Sequence, residues 1–190
     1  MLVALMLSAL AQTPGGPPPA APPGAPPTAA PKGPEMIPLE ALDQMNKPAP
    51  EFELDTLAGG KFKLADHRGK PVVLSFWASW CGPCRQELPA LSELQKQRSD
   101  VEIIAVNVDR DPKLAQRFLA SVKVELPIVW DPDAIALGQY EVLSMPTMFL
   151  LDKGLVMRFR KTGFSAERGL TELIAALDGK PAPAPPGGRP

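Results

Sequence analysis

The sequence has 190 residues, which is enough for one domain of ordinary size with additional terminal segments. Its 20 lysines and arginines are almost balanced by 21 aspartates and glutamates, so neither a basic face for nucleic acid nor a polybasic membrane patch is expected. The 25 prolines are far too many for a globular domain of this length, and their positions divide the chain into segments.

The first eleven residues, MLVALMLSALA, form an apolar segment. As a helix this segment would span about 15 Å, roughly half of a bilayer's hydrocarbon core, so a transmembrane span is not expected. Ala9 and Ala11 fit the small-residue pattern before a signal cleavage site, which would leave a chain that starts at Gln12. No lysine or arginine precedes the apolar run, although secretory signals normally have one there. We predict a signal-like segment over residues 1–11 and an exported protein.

Two proline-rich segments flank the part of the chain that can form a core. Thirteen prolines lie between Pro14 and Pro50, and five more lie in residues 181–190. These segments lack the apolar side chains that could offset the entropy lost on ordering. The sequence therefore predicts a linker over residues 12–47, a folded domain over residues 48–180 and a disordered tail over residues 181–190.

The first half of the predicted domain contains a hairpin, a buried strand and a helix. EFELDTL and KFKLAD alternate apolar and polar residues on either side of AGG, which predicts a β-hairpin. VVLSFW, residues 72–77, is almost continuously apolar, as in a strand that is covered on both faces. A leucine stripe at helical spacing follows Cys84, and Pro89 should kink this helix rather than end it.

The second half of the predicted domain alternates strands and helices. VEIIAVNV and LPIVWD predict two strands around a helix, with Asp111 as its N-cap and Leu114 and Phe118 on its buried face. TMFLLD and LVMRFR, joined by KG, predict a hairpin, and Ser165 should open the last helix. This order predicts an α/β fold: a three-layer sandwich with a mixed central sheet and an added N-terminal β-hairpin.

Cys81 and Cys84 are the only two cysteines. A structural zinc site usually takes four cysteine or histidine ligands, whereas this chain has two cysteines and one histidine. That histidine, His67, lies in an expected loop and is interpreted as a solvated polar residue. A purely structural disulfide is also disfavoured, because closing a loop with two intervening residues removes little unfolded-state entropy.

A redox-active dithiol accounts for the residues around the pair as well. The buried strand ends where the motif begins, so Cys81 should lie at a helix N-terminus, where unpaired amides and the helix dipole stabilise a thiolate. Cys81 is then the nucleophile, and Cys84, one turn into the helix and more shielded, is the resolving thiol. Gly82 allows a partner backbone to approach, and Pro83 suits the first helical turn.

The motif WCGPC, residues 80–84, resembles the active-site signature of the thioredoxin superfamily. A second match is SMPT, residues 144–147, which stands before a strand where thioredoxin-like proteins carry a cis-proline facing the two cysteines. The resemblance implies that Met145 and Pro146 form a groove floor whose backbone pairs with an extended segment of a partner protein. Trp80 is expected to cover the site and to meet partners.

Within that superfamily, residues 48 to about 178 are similar to the TlpA and ResA type of thiol reductase, which is exported and usually membrane-tethered. The matches are the leading hairpin, the LxDxxGK segment and the helix after the cysteines, in the same order. Cytoplasmic thioredoxins usually place a buried aspartate in the strand before the motif, where this chain has Ser75. In ResA-type proteins a glutamate three residues after the second cysteine is implicated instead, so the resemblance implies that Glu87 is the proton acceptor. An exposed helical glutamate is the alternative.

The sequence thus predicts a thiol-disulfide oxidoreductase that reduces disulfides of partner proteins outside the cytoplasm, with no cofactor and no metal. The resemblance implies a membrane thiol-reductant transporter as the electron source, and cytochrome c maturation or copper-site assembly as the setting. A monomer with no nucleic-acid partner is expected. Its N-terminal segment would be cleaved or retained as a membrane tether.

Three other functions stay open on the sequence alone. Soft thiolates suit Cu(I), so the same two cysteines could form a copper-binding module. A disulfide-forming oxidase would run the same exchange steps backwards. A peroxiredoxin-like peroxidase shares the fold, but Ala78, Ser79 and Trp80 do not supply the sequence context that its attacking cysteine requires.

Overall fold

The computed structural model describes residues 45–165 and 170–180. The predicted signal-like segment, most of the predicted linker and the predicted tail lie outside these residues. Near the start of the described chain, Asn46 and Lys47 form backbone hydrogen bonds with Met157. None of the helices in the described ranges is long and apolar enough to cross a bilayer.

In the described ranges, seven strands and four helices follow one another in the predicted order, except that the helix Ile135–Gln139 was not predicted. The strands are β1 (Glu53–Thr56), β2 (Lys61–Lys63), β3 (Val72–Trp77), β4 (Glu102–Asn107), β5 (Ile128–Trp130), β6 (Thr147–Leu151) and β7 (Met157–Thr162). The helices are α1 (Cys84–Gln97), α2 (Pro112–Ser121), α3 (Ile135–Gln139) and α4 (Thr171–Leu177). A short 3₁₀ helix, Leu64–His67, follows β2.

All seven strands form one mixed sheet in the order β2-β1-β5-β4-β3-β6-β7. The strands β3, β4 and β5 run parallel to one another, and the other neighbouring pairs are antiparallel. Strand β3 lies between β4 and β6, and all six of its residues are buried. Side chains of successive strand residues point to opposite faces, so a strand buried on both faces is apolar at most positions; the exception here, Ser75, donates a hydrogen bond to Glu87. The sequence run VVLSFW is explained by this position.

The core has one layer on each face of the sheet. One layer contains Phe76 and Phe149 from the sheet together with Ala136 and Tyr140 from the α3 region. The other layer is covered by α1, α2 and α4; its members include Trp77, both cysteines, Leu88, Phe118 and Leu173. The predicted three-layer α/β sandwich with a mixed sheet is therefore confirmed.

The N-terminal hairpin is also confirmed. Glu53 pairs with Lys63 and Asp55 with Lys61, and the turn between the strands contains Gly59 at a φ of +95°. Such a φ lies in the left-handed region that glycine adopts readily, which explains the glycines in this turn. Strand β1 also pairs antiparallel with β5, so the hairpin extends the central sheet.

Two helices differ in detail from the prediction. Asp111 caps α2 as expected, since its carboxylate accepts a hydrogen bond from the Lys113 amide at 2.9 Å, but the predicted buried residue Leu114 is exposed. The buried positions of α2 are Ala115 and Phe118. Helix α4 begins at Thr171 rather than at the predicted Ser165, and the residues between them lie largely outside the described ranges.

His67 was expected in a solvated loop, and this expectation is wrong. The residue lies in the 3₁₀ helix, and its ring stacks on Phe62 with ring centroids 4.5 Å apart. Its Nδ1 is 2.8 Å from a carboxylate oxygen of Glu102. The sequence alone could not predict this pair, because Glu102 lies 35 positions after His67, at the start of strand β4.

Tyr140 is the centre of the aromatic cluster on the α3 face. Its fully buried ring lies within about 6 Å, centroid to centroid, of Phe52, Phe76 and Phe149. Its hydroxyl donates a 2.9 Å hydrogen bond to the Pro50 carbonyl oxygen, which fixes the segment before the hairpin. Nothing in the sequence pattern singles out this tyrosine.

Two replacements of Tyr140 separate the contribution of its hydroxyl to stability from that of its ring. The change Tyr140→Phe removes the hydroxyl and should lower the free energy of unfolding by about 1 kcal/mol. The change Tyr140→Ala also removes the ring and should cost about 3–5 kcal/mol, because the cavity cannot refill. Chemical denaturation of both variants measures the difference. A loss below about 2 kcal/mol for the alanine variant would show that the cluster does not depend on this ring.

Candidate active site: a dithiol at the start of helix α1

The two cysteines lie between the central strand and the first helix. Strand β3 ends at Trp77, α1 begins at Cys84, and the six residues between them form the active-site loop, residues 78–83. Cys81 and Cys84 are joined by a disulfide, and their Cα atoms are 5.4 Å apart. Cys81 is 4% exposed to solvent and Cys84 is fully buried. Cys81 is thus the more exposed of the two, as expected, although little of it reaches solvent. Cys84 is the first residue of α1 rather than one turn into it.

At the start of α1, a backbone amide points at the first cysteine. The backbone N–H of Cys84 donates to Cys81 Sγ, with a nitrogen-to-sulfur distance of 3.3 Å. Pro83, the N-cap residue, has no N–H and already has helical angles, with φ −62° and ψ −27°. Its carbonyl accepts the Glu87 amide at 3.2 Å, so the first helical turn is closed. An anion at Cys81 Sγ would therefore meet both the Cys84 amide and the positive end of the helix dipole.

A buried carboxylate, Asp109, fixes the active-site loop from the neighbouring strand. It accepts hydrogen bonds from the Ser79 amide at 2.9 Å, from the Ser79 hydroxyl at 3.0 Å and from the Asn107 side-chain amide at 2.9 Å. The Asp109 carbonyl oxygen also accepts a bond from Trp130 Nε1 at 2.7 Å. The loop that carries Cys81 is thus tied to the ends of β4 and β5.

The sequence analysis missed Asp109, although a signal was present. The strands β3 and β4 are parallel, so residues that follow their carboxyl ends meet at one edge of the sheet. Ser79 follows β3, and Asp109 follows β4. Each of these polar residues stands two positions after the end of a buried strand. Their proximity could therefore have been predicted from the sequence.

The tryptophans before the cysteines occupy opposite environments. Trp77 is fully buried and packs against Phe118, with ring centroids 4.9 Å apart. Trp80 is 71% exposed beside Cys81, and Gly82 and Pro83 are exposed as well. The loop therefore presents a large aromatic surface and an open backbone to solvent next to the nearly covered disulfide.

The Met145–Pro146 peptide bond is cis, as the resemblance to thioredoxins implied. Pro146 is buried and Met145 is half-buried, and Met145 packs against the core layer that contains both cysteines. The Pro146 carbonyl accepts a 2.7 Å hydrogen bond from the Gly163 amide. Two chain segments that are far apart in sequence thus contribute to the same layer.

Glu87 is fully buried, so its interpretation as an exposed helical residue is wrong. The Ser75 hydroxyl donates a 3.3 Å hydrogen bond to its Oε1, whereas Oε2 has no hydrogen-bond partner among the described residues. Burial raises the pKa of Glu87 to about 8, against the opposing effects of the Ser75 hydrogen bond and of the positive charge on Lys161. A carboxyl group with a pKa near neutrality can both release and accept a proton at physiological pH.

The described residues contain no group of three or more histidine, cysteine, aspartate or glutamate side chains placed to hold a metal ion. The histidine pairs with Glu102, as described above, and both cysteine sulfurs are used in the disulfide.

A cysteine pair between a central strand and a helix, together with a cis-proline on the same mixed sheet, defines a thioredoxin-like redox protein. The chain belongs to the AhpC/TSA family, whose sequence model matches residues 45–160. The thiol-disulfide oxidoreductase ResA of Geobacillus thermodenitrificans is 44% identical over 132 residues, which cover 68% of this chain and 75% of that protein. The thioredoxin-like protein YneN of Bacillus subtilis is 42% identical over 118 residues, which cover 60% of this chain and 69% of that protein.

Solved structures agree with these relatives. A Chlorobium tepidum protein assigned as the thiol:disulfide interchange protein DsbE has a TM-score of 0.67 and 34% identity, over 71% of this chain and 96% of that one. StoA of Bacillus subtilis has a TM-score of 0.55 and 27% identity, over 63% of this chain and 92% of that one. The predicted membership of the thioredoxin superfamily is thereby confirmed.

The buried carboxyl group makes stability depend on pH in a predictable direction. The pKa of Glu87 in the folded protein, about 8, lies above its ordinary value of 4.5. Its contribution to stability is therefore fully present below pH 4.5 and is lost as the pH rises through about 8. Each pH unit in that interval costs about 1.4 kcal/mol, so the total is a few kcal/mol.

Replacement of the carboxyl group tests this direction. The variant Glu87→Gln should gain stability relative to the wild type between pH 5 and pH 9, because only the wild type must ionise a buried group. Urea denaturation of both oxidised proteins across this range measures the difference. Glu93→Gln, on an exposed position of the same helix, is the control and should follow the wild-type curve. Parallel curves for Glu87→Gln and the wild type would contradict a raised pKa.

Proposed function

We propose that this chain is a thiol-disulfide oxidoreductase that reduces disulfides of partner proteins outside the cytoplasm. The observation that carries this proposal is the hydrogen bond from the Cys84 amide to Cys81 Sγ at the start of α1. In the reduced protein the same amide and helix dipole would stabilise a thiolate at Cys81. The names of the relatives, thiol-disulfide oxidoreductase and thiol:disulfide interchange protein, support the same chemistry.

The reaction consists of two exchange steps. The Cys81 thiolate attacks one sulfur of the partner disulfide; a sulfur-sulfur bond forms between enzyme and partner, and the other partner sulfur leaves as a thiolate. Cys84 then loses its proton and attacks Cys81 Sγ, which releases the second partner sulfur as a thiolate. The two partner thiolates take up protons, so the partner gains two electrons and two protons, and the enzyme ends with the Cys81–Cys84 disulfide.

Glu87 is the proposed proton acceptor for Cys84. Both residues are fully buried on α1, three positions apart, which places them on the same side of the helix. A resolving thiol that is shielded from water needs a nearby base, because only its thiolate attacks. The carboxylate form of Glu87 supplies that base, and the pKa of about 8 means that a useful fraction is ionised near neutral pH.

The partner would bind across the exposed side of the active-site loop and the cis-proline segment. Trp80, Gly82 and Pro83 are the exposed residues around Cys81. We propose that Trp80 packs on the partner, that the two loop residues allow its backbone to approach, and that Met145 and Pro146 pair with an extended segment of it. The narrow exposure of Cys81 would then restrict the reaction to disulfides that this surface can hold.

The proposed setting rests on the sequence and on its resemblance to exported thiol reductases. The signal-like segment over residues 1–11 supports export, with the segment either removed or kept as a membrane tether. A reductase in an oxidising compartment needs an electron source, for which we propose a membrane thiol-reductant transporter. The proposed clients are cysteines of cytochrome c haem sites or of copper sites.

An insulin reduction assay with dithiothreitol as reductant tests the activity. The wild-type protein should accelerate insulin precipitation, and Cys81→Ser should abolish the acceleration because no nucleophile remains. A matched surface variant, Glu93→Gln, should keep full activity. Failure of the wild type to reduce insulin, combined with uptake of one Cu(I) per chain, would favour a copper-binding module instead.

Trapping tests the two cysteine roles. The variant Cys84→Ser lacks the resolving thiol, so mixed disulfides at Cys81 should accumulate and mass spectrometry should identify the partner. The double variant with Cys81→Ser should trap nothing. Trapping by the Cys81→Ser single variant but not by Cys84→Ser would mean that the roles of the two cysteines are reversed, and equal trapping by both would contradict distinct roles.

A further inference from the structure

Three residues in neighbouring strands form a row across the sheet beneath Glu87. Ser75 on β3 lies opposite Met148 on β6, and Met148 lies opposite Lys161 on β7. Side chains at directly opposed positions point to the same face of a sheet. The Ser75 hydroxyl binds Glu87, so the face that this row shares is the one that α1 covers.

The packing of the neighbouring residues agrees with this placement. Met148 and Phe159 belong to the core layer that contains both cysteines, and Phe159 lies two residues before Lys161 on the same strand. Alternate residues of a strand share a face, so Lys161 faces the same layer as Phe159. A lysine is thus present on the inner side of the sheet edge, in the layer of the buried carboxyl group.

Lys161 forms an ion pair with Glu172 in the first turn of α4. Its Nζ is 3.2 Å from Glu172 Oε2, and the two side chains are only 13% and 21% exposed. The pair between Lys63 and Glu53 in the N-terminal hairpin, by contrast, is 51% and 47% exposed at 3.0 Å. Charges that are partly withdrawn from water interact more strongly with their surroundings than charges at the surface.

Several elements contribute groups to the layer around Glu87; β4 contributes the neutral residue Ala105, opposite Ser75. On α1 the titratable neighbour is Cys84, while β3 and β6 contribute the neutral residues Ser75 and Met148. Strand β7 contributes the positive charge of Lys161, which acts to lower the pKa of Glu87 against burial, and α4 contributes Glu172 behind it. Glu167 and Arg168, which precede α4 in the sequence, lie outside the described residues.

From this arrangement we propose that Lys161 and Glu172 act as a positioning pair that controls how readily Glu87 carries its negative charge. Lys161 favours the carboxylate form, which is the form that accepts the proton of Cys84. Glu172 opposes this effect, because it holds the ammonium group and supplies a compensating negative charge. The inference rests on the proposed role of Glu87, and it adds the two residues that tune that role.

The two partners must then have effects of opposite sign. In Lys161→Met the favourable positive charge is lost, so the ionisation midpoint of Glu87 should rise by about 0.5 to 1 pH unit. In Glu172→Gln the compensating negative charge is lost, so the midpoint should fall. In Lys161→Arg the charge is kept, and the midpoint should return toward the wild-type value.

Carbon-13 NMR of the Glu87 carboxyl group in the oxidised full-length protein measures this midpoint directly. The same measurement on Lys63→Met and Glu53→Gln is the control, because these changes remove equal charges from the exposed pair and should leave the midpoint unmoved. Shifts in the same direction for Lys161→Met and Glu172→Gln, or no shift in either, would overturn the proposal. If Lys161→Met does not fold, the sign for Glu172→Gln alone decides.

Kinetics provide a second readout that separates this inference from the proposed function. In Lys161→Met the ionised fraction of Glu87 near pH 7 should fall about three- to tenfold, and the pH profile of insulin reduction should move upward with the NMR midpoint. If the wild type reduces no insulin while the NMR midpoints shift as expected, the proposed function fails and the charge coupling stands. If the wild type reduces insulin normally but the NMR midpoints do not move, the charge coupling fails and the proposed function stands.

Discussion

The constraint on which the rest of the structure depends is the burial of strand β3 on both faces. Because all six of its residues are inside, the chain must leave the sheet abruptly after Trp77 and return as a covering helix. Helix α1 therefore begins close to the strand end, and the amide of its first residue meets Cys81 Sγ at 3.3 Å. The electrostatic environment of the sulfur thus results from how the central strand is covered.

Two acidic side chains near the site, Asp109 and Glu87, are also buried, but their hydrogen bonding differs. Asp109 is fully provided with donors from Ser79 and Asn107, so it works as a fixed support for the active-site loop. Glu87 has one weak hydrogen bond and one oxygen without a partner among the described residues, so its charged form is poorly solvated and its pKa is raised to about 8. Burial combined with a scarce supply of hydrogen-bond donors is what makes the charged form of Glu87 costly.

A charged pair at the edge of the sheet lies next to the core layer that contains Glu87. Lys161 and Glu172 lie on the last strand and the last helix, which the sequence places about 80 residues after the cysteine motif. A row of registered residues brings the lysine onto the face that α1 covers. In the proposed function this edge pair adjusts the buried base, while Trp80 and the cis-proline segment meet the partner. Proton handling and partner binding would then use different parts of one site, and each could vary without the other.

The sequence by itself determined the local and periodic features of this protein. Strand β3, the cap of α2 by Asp111, the N-terminal hairpin and the order of the elements follow from hydrophobic periodicity and turn chemistry, which act within a few residues. The cysteine roles were predicted from the position of the pair at the start of a helix, and the cis bond before Pro146 from motif resemblance. Only the tertiary structure decided the partners across distant strands: Ser79 with Asp109, His67 with Glu102, and Lys161 with Glu172. It also decided that Glu87 is buried, because side-chain desolvation and ion pairing depend on strand order and helix placement, and neither is encoded in any short stretch of sequence.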